Sequence, residues 1–247
     1  MAASTNTPPS LEVGSTVLSG DSVDFLTQLI TEDANKVILG PGLRLTAEKV
    51  TATKCGLLKQ SPSMPHLYWI ENHQKRYVAE RNDDVIGIVT NKTGDTFRVD
   101  IGASEQATIS FLAFEGATQK NRPQVQIGDL LYAKLLLASK DMEPELVCVD
   151  SYGKSKGLLG VLSGGFVMQM PLHLIRKLRA PGFDVQRVLA KLGTFEIALG
   201  MNGRVWIKAN SVKDTIAIAN AISLLEFMRN DEIQFAVEQI TNAMCAF

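Results

Sequence analysis

The sequence predicts a multidomain chain: a β-rich N-terminal unit, a small closed β-barrel and an α+β C-terminal module. Three observations carry this. Between Asp84 and Asp150 five β-rich runs follow one another, Asp84–Thr90, Thr96–Gly102, Ala107–Phe114, Leu130–Ala138 and Glu145–Asp150, split by Gly, Asn and Asp turns. Left as an open sheet, five such short strands would expose their edges, so closure is expected. Before them, short β-like runs are punctuated by Gly40-Pro-Gly42 and Ser61-Pro-Ser-Met-Pro65. After them, beyond the short linker Gly153-Lys-Ser-Lys-Gly157, helical spacing takes over around two β-like runs. The expected division is a disordered tail at 1–10, a β-rich domain at 11–80, a barrel at 81–152 and an α+β domain at 153–247.

In the N-terminal unit the strand candidates are Val37–Leu39, Lys49–Lys54 and Leu67–Ile70. In the barrel, the second run alternates: Phe97, Val99 and Ile101 point to one face, Thr96, Arg98 and Asp100 to the other. The first face reads as core and the second as wet. Asn91-Lys-Thr-Gly-Asp95 has hairpin-turn chemistry, because Gly94 takes positive φ without a steric penalty. In the last module, Pro171–Arg179 has helical spacing ended by Ala180-Pro-Gly182. Asp184–Leu192 reads as a second short helix with Asp184 as N-cap. Thr194–Leu199 and Arg204–Ala209 read as strands. Ser211 is a strong N-cap with Asp214 at the third helical position, and Val212, Ile216, Ala219 and Ile222 are expected on one face of that helix. A last helix is expected from Asp231, showing Ile233, Val237, Ile240 and Met244.

The chain has 247 residues, 45% hydrophobic and 21% charged, ordinary values for a soluble protein. No apolar run approaches the length of a transmembrane helix, so no membrane partner is expected, and the polar, Pro-containing start is not a secretory signal. Cys55, Cys148 and Cys245 are far apart with no CxxC pair, which argues against structural disulfides and zinc and fits a reducing compartment. The net charge of −1 is uninformative, but its distribution is not. Lys154–Lys213 holds ten Lys or Arg against two acids, a net of +8, whereas the chain from Asp214 onward has a net of −4.

No catalytic constellation emerges. His66, His73 and His173 have no placed Ser, Cys or carboxylate partner, and no Walker A, dinucleotide or HExxH pattern occurs. Asp83 and Asp84 are adjacent, so on a strand they point to opposite faces and cannot share a metal. Asp141 and Glu143 read as turn residues beside Pro144. The chain is therefore expected not to be an enzyme and to need no cofactor or metal. Candidate binding residues are cationic: Lys92, Arg98, Lys120, Arg122 and Lys134 in the barrel, and Arg176, Lys177 and Arg179 clustered on the first helix of the last module. A basic helix of this kind serves either RNA or an acidic partner subunit. Gly200-Met-Asn-Gly203 lies between two β runs, where Asn-Gly is the signature of a tight type I′ hairpin with both central residues at positive φ.

Several stretches carry a resemblance. Val85-Ile-Gly-Ile-Val-Thr90, Phe97-Arg-Val-Asp-Ile-Gly102 and Gly128-Asp-Leu-Leu-Tyr-Ala133 look like an S1-type RNA-binding domain of the OB class. Phe114-Glu-Gly-Ala-Thr-Gln-Lys-Asn-Arg-Pro123 and Lys140-Asp-Met-Glu-Pro-Glu-Leu-Val-Cys-Val-Asp-Ser151 resemble one cap-subunit family of the eukaryotic RNA exosome, the exosome component 3 family. Gly40-Pro-Gly-Leu-Arg44 and Gln74-Lys-Arg-Tyr-Val78 resemble the N-terminal domain of the same family, so the likeness covers nearly the whole chain. It implies an N-terminal domain docked on the ring of RNase-PH-like subunits, an S1 barrel and a KH domain. It implies a non-catalytic subunit that steers single-stranded RNA into the ring channel and stabilises the ring for 3′–5′ RNA processing and degradation, rRNA included. Its partners would be ring subunits, other cap subunits and single-stranded RNA, and its location the nucleus and nucleolus, also the cytoplasm. The alternatives are a sister S1/KH cap subunit and a stand-alone RNA-processing enzyme.

Within that resemblance, Gly200–Gly203 matches the GXXG tetrad with which KH domains clamp a nucleic-acid backbone. The exosome cap family carries this same GXNG variant, where it is regarded as structural, and no basic side chain sits inside it here. S1 domains that bind RNA tightly place aromatics on the wet face; here Arg98 and Asp95 hold those positions. Binding is then expected to be weak, salt-sensitive and sequence-blind.

Overall fold

The computed structural model describes residues 12–32, 37–47, 49–139, 141–150, 153–155, 157–180, 189 and 193–227. The expected tail, all of the helix expected at Asp184–Leu192 except Leu189, and the helix expected from Asp231 lie outside these residues. The chain divides into two compact units, residues 1–73 and 74–247.

Among its described residues the first unit holds a four-stranded sheet ordered β1-β5-β6-β2, a separate hairpin β3-β4 and one helix. The strands are β1 (Thr16–Val17), β2 (Ile38–Leu39), β3 (Leu43–Thr46), β4 (Lys49–Ala52), β5 (Gly56–Gln60) and β6 (Leu67–Glu71), and the helix is α1 (Asp24–Glu32). Of these, β2, β4 and β6 coincide with expected strands, whereas α1 was not expected. The signal was there: Leu26 is fully buried, Leu29 and Ile30 follow it at helical spacing, and both pack with Phe25 on the same core. Phe25 also meets Tyr68 edge to face, ring centres 5.9 Å apart.

The second unit begins with the barrel: β7 (Asp84–Thr93), β8 (Thr96–Asp100), β9 (Ala107–Ser110), β10 (Leu130–Leu137) and β11 (Glu145–Val147). The order β11-β9-β8-β7-β10 closes because β10 also pairs with β11. Its core includes Val85, Phe97, Val99, Ile101, Ile109, Leu131 and Leu135. The alternation in β8 is as read: Phe97, Val99 and Ile101 are 3%, 0% and 0% exposed, and Arg98 points to solvent. Thr93 pairs with Thr96 across the turn, with Gly94 at φ +57°. The third run stops early, because Ser110 accepts a bond from the Leu112 N–H and turns Phe111–Ala113 into a 3-10 helix.

The linker leads into a strand the sequence reading did not place, β12 (Gly160–Leu162), which adds to the free side of β10 through Leu131↔Val161. Then come β13 (Phe166–Gln169), α2 (Leu172–Leu178), β14 (Phe195–Leu199), β15 (Arg204–Ala209) and α3 (Val212–Leu224). The sheet order is β13-β15-β14. Ser211 caps α3 as expected, its hydroxyl accepting from the Asp214 N–H at 3.1 Å. The apolar face expected on α3 is buried only in part, at Ala219 and Ile222. Val212 and Ile216 are 75% and 55% exposed, while Ile218 and Ile222, one turn apart, are fully buried against β15. Ile216 precedes Ile218 by two residues, about 200° around a helix, so the two point to nearly opposite sides.

Candidate nucleic-acid interface

The cations of the barrel divide between two places. Lys92, near the end of β7, sets its ammonium 5.3 Å from the centre of the Phe97 ring. Arg122, in the loop between the 3-10 turn and β10, lies 4.9 Å over the Phe111 ring. Its guanidinium is also 3.1 Å from the Asp95 carboxylate at the tip of the β7–β8 turn. Lys120 is exposed in the same loop, so these three gather about one turn of the barrel. Arg98 projects from the wet face of β8 with Glu143 3.9 Å away, both side chains about half exposed. Lys134 stands apart: it pairs with Asp84 at the start of β7, whereas Arg98 pairs with Asn91 near its end. Those seven residues of strand span about 23 Å.

The three basic residues of α2 do not form one open patch. Lys177 donates to the Leu225 carbonyl at 2.9 Å, where it serves the C-terminal end of α3. Arg179 pairs with Asp84 of the barrel at 2.8 Å. Arg176 makes no ion pair with any described residue and is half-buried.

Gly200–Gly203 is buried at a seam between barrel and α+β module. Asn202 is 7% exposed. Its carboxamide accepts from the Ile86 N–H (3.3 Å) and donates to the carbonyls of Ile86 and Ile101, both at 2.8 Å. The last β7–β8 pair is Ile88↔Asp100, so Ile86 lies one ladder step beyond the end of β8. The Asn202 carboxamide takes the place of the missing strand residue and satisfies both peptide groups of Ile86 on that side. The Met201 N–H adds a bond to the Asp84 carbonyl at 2.8 Å. The turn is not the type I′ turn expected. Met201 and Asn202 keep negative φ, the Gly203 N–H donates to the Gly200 carbonyl at 3.0 Å, and only Gly203 is at positive φ, +84°. Each glycine has a separate cause. A Cβ on Gly203 would meet the Met170 carbonyl oxygen at 2.7 Å, and one on Gly200 would meet Asn202 Oδ1 at 2.4 Å.

Around this tetrad lie groups the sequence did not single out. Arg204 donates to the Asp100 carboxylate and carbonyl, each at 2.6 Å, and to the Ile86 carbonyl at 3.2 Å. Burial alone would raise the Asp100 carboxyl; the Arg204 guanidinium and the Gly102 N–H outweigh it and hold that carboxyl below the usual carboxylate range. Ile86, Leu162, Ala198 and Trp206 form an apolar cluster at the seam, with the Trp206 indole N–H donating to the Gly164 carbonyl at 2.8 Å. Burial pushes the Tyr132 phenol up to about 12, and its hydroxyl donates to the Leu199 carbonyl at 3.5 Å.

Family models match the chain in the same order as these parts. The Exosome complex exonuclease Rrp40 N-terminal domain matches residues 37–76, the Exosome complex component RRP40 S1 domain residues 77–159, and a KH domain residues 165–213. Exosome complex component RRP40 of Drosophila melanogaster is 49% identical over 210 residues, 85% of this chain and 88% of that protein. The Bos taurus protein of that name is 47% identical over 201 residues, 80% of this chain and 73% of its own length. The chain belongs to the exosome component RRP40 family. The RRP40 likeness extends to Saccharomyces cerevisiae at 33% identity over 193 residues. A crystal structure described as that of an exosome complex RNA-binding protein shares the fold at TM-score 0.57 and 17% identity, covering 69% of this chain and 98% of that one. In this RRP40-family chain the barrel is thus an S1 domain and the α+β module a KH domain. The tetrad that KH domains turn toward nucleic acid here faces the S1 barrel.

One signal for the seam was present in the sequence. Val85, Ile86 and Gly87 are consecutive and all buried, the mark of a strand covered on both faces rather than one. Asn202 and Arg204 gave no comparable sign, because their partners lie more than a hundred residues away in sequence.

Proposed function

We propose that this protein is a non-catalytic RNA-binding cap subunit of an RNA exosome, which steers single-stranded RNA into the ring channel and stabilises the ring. The observation that carries the reading is the unbroken N-terminal, S1 and KH order of family models, with relatives named Exosome complex component RRP40 at 46–49% identity. The sister-subunit alternative has weaker support: a relative named Exosome complex component Rrp4, from Methanothermus fervidus, is 23% identical over 193 residues. In this role the N-terminal domain contacts RNase-PH-like ring subunits and the S1 barrel guides RNA by charge. The complex processes and degrades RNA from the 3′ end, rRNA included, in nucleus, nucleolus and cytoplasm. Lys92, Arg98, Lys120, Arg122, Lys134 and Arg176 are the cations proposed to meet phosphate or base. Lys177 and Arg179 meet RNA only if they leave Leu225 and Asp84.

The test is RNA capture by the reconstituted complex across a salt series. Arg98→Glu with Lys134→Glu should lower affinity and flatten the salt slope by roughly 0.7 for each single-strand phosphate that the protein no longer neutralises. Unchanged affinity and slope would contradict charge steering. Incubation with labelled single-stranded RNA and Mg²⁺ separates the remaining alternative, since sustained cleavage by the pure chain would make it an enzyme.

A further inference from the structure

We infer that Arg122 is a base-stacking residue whose guanidinium plane receives one base of single-stranded RNA. The inference rests on the RNA-binding reading above and changes the kind of interaction made at this position. Among the described residues the exposed positions of β8, Thr96 and Arg98, offer no aromatic for stacking, and the rings near the β7–β8 turn are covered: Phe97 is 3% exposed and Phe111 6%. Arg122 brings a planar group to the surface above one of them. The Phe111 ring supports it at 4.9 Å and the Asp95 carboxylate grips it at 3.1 Å, yet its side chain remains 57% exposed.

The position is built rather than incidental. The Phe111 N–H donates to the Asp95 carbonyl at 3.1 Å, so the supporting ring and the gripping carboxylate are tied together. Asn121 folds the loop beside Arg122: its N–H donates to Thr118 Oγ1 at 3.0 Å and its carboxamide to the Gly116 carbonyl at 3.3 Å, while its carbonyl accepts from the Thr118 N–H at 3.0 Å. Pro123 then restricts the backbone on the other side. A fixed guanidinium plane is a recognised surface for an unpaired base, and a lysine ammonium cannot replace it. Asp95 offsets much of the Arg122 charge, so the pair attracts phosphate weakly, while Lys92, beside the same turn, is placed to take the backbone.

The experiment compares two single-stranded oligoribonucleotides, one base-bearing with a single 2-aminopurine and one fully abasic, on complex reconstituted with the full chain. Wild type should prefer the base-bearing strand by about ten-fold, within the range a single base stack contributes. Arg122→Lys, which keeps a cation at the position, should remove that preference and the 2-aminopurine quenching while the salt slope stays near that of wild type. Asp95→Asn should weaken the preference while steepening the salt slope, because the guanidinium is released toward phosphate. If wild type binds both strands equally, RNA binding stands and the stacking role falls. If Arg122→Lys keeps the preference, or Arg122→Ala weakens both strands alike and lowers the slope by about 0.7, Arg122 binds phosphate or is a bystander. If wild type captures neither strand, the RNA-binding reading itself fails, and the stacking role with it.

Discussion

Asn202 shows how one side chain sets the geometry of two domains. Its carboxamide supplies three hydrogen bonds to barrel backbone at a buried position. Asn202→Ala leaves the Ile86 N–H and the Ile101 carbonyl without this partner, at about 1–3 kcal/mol per buried group, so a loss of about 3 kcal/mol is expected. Gly203→Ala should cost at least about 1 kcal/mol, since a Cβ at φ +84° also meets the Met170 carbonyl. Both variants should lower the melting temperature and leave RNA affinity of the folded protein near wild type. Melts and RNA titrations on the same samples decide it: unchanged melting with abolished binding would make the tetrad an RNA clamp. The sequence showed the tetrad as a tight turn between two strands. It did not reveal the reason, because positive φ at Asn202 was the wrong cause and the true one is a ladder completed from another domain.

At the scale of elements, β8 sorts its residues as alternation requires. Phe97→Ala should cost roughly 3–5 kcal/mol, as a core aromatic truncation does. Arg98→Ala should shift stability by less than about 1 kcal/mol, because its ion pair with Glu143 is long and exposed. Thermal or denaturant unfolding of the free subunit measures both, and an intact Phe97→Ala protein without RNA binding would invert the face assignment. β8 was legible because one face is core and Gly94 marks the turn before it, whereas β3 and β5 were not, although Leu43 and Leu58 are buried. The buried side of α3 was not legible, because Ala217, Ile218, Ala219, Ala221 and Ile222 bury a broad apolar arc and sequence spacing alone does not choose the stripe that meets β15. The short strand β12 has too few residues for any period and exists only because β10 offers a free side.

At the scale of the molecule, the order of an N-terminal β-rich domain, an S1 barrel and a KH domain was legible from the family resemblance together with the change of period after Gly157. The seam between barrel and KH domain was not, since it depends on Asp84, Ile86 and Asp100 meeting Arg179, Asn202 and Arg204 across the chain. The basic helix shows the same limit: read as one patch, it is shared between the end of α3 and the barrel. The central claim, that this chain works as an exosome cap subunit, is tested most directly by purifying the tagged full-length protein from its own cells and identifying what accompanies it. The account predicts RNase-PH-like ring subunits and other cap subunits in near-equal amounts, retained at salt concentrations that strip RNA. Recovery of the chain alone, or with RNA but without ring subunits, would contradict it.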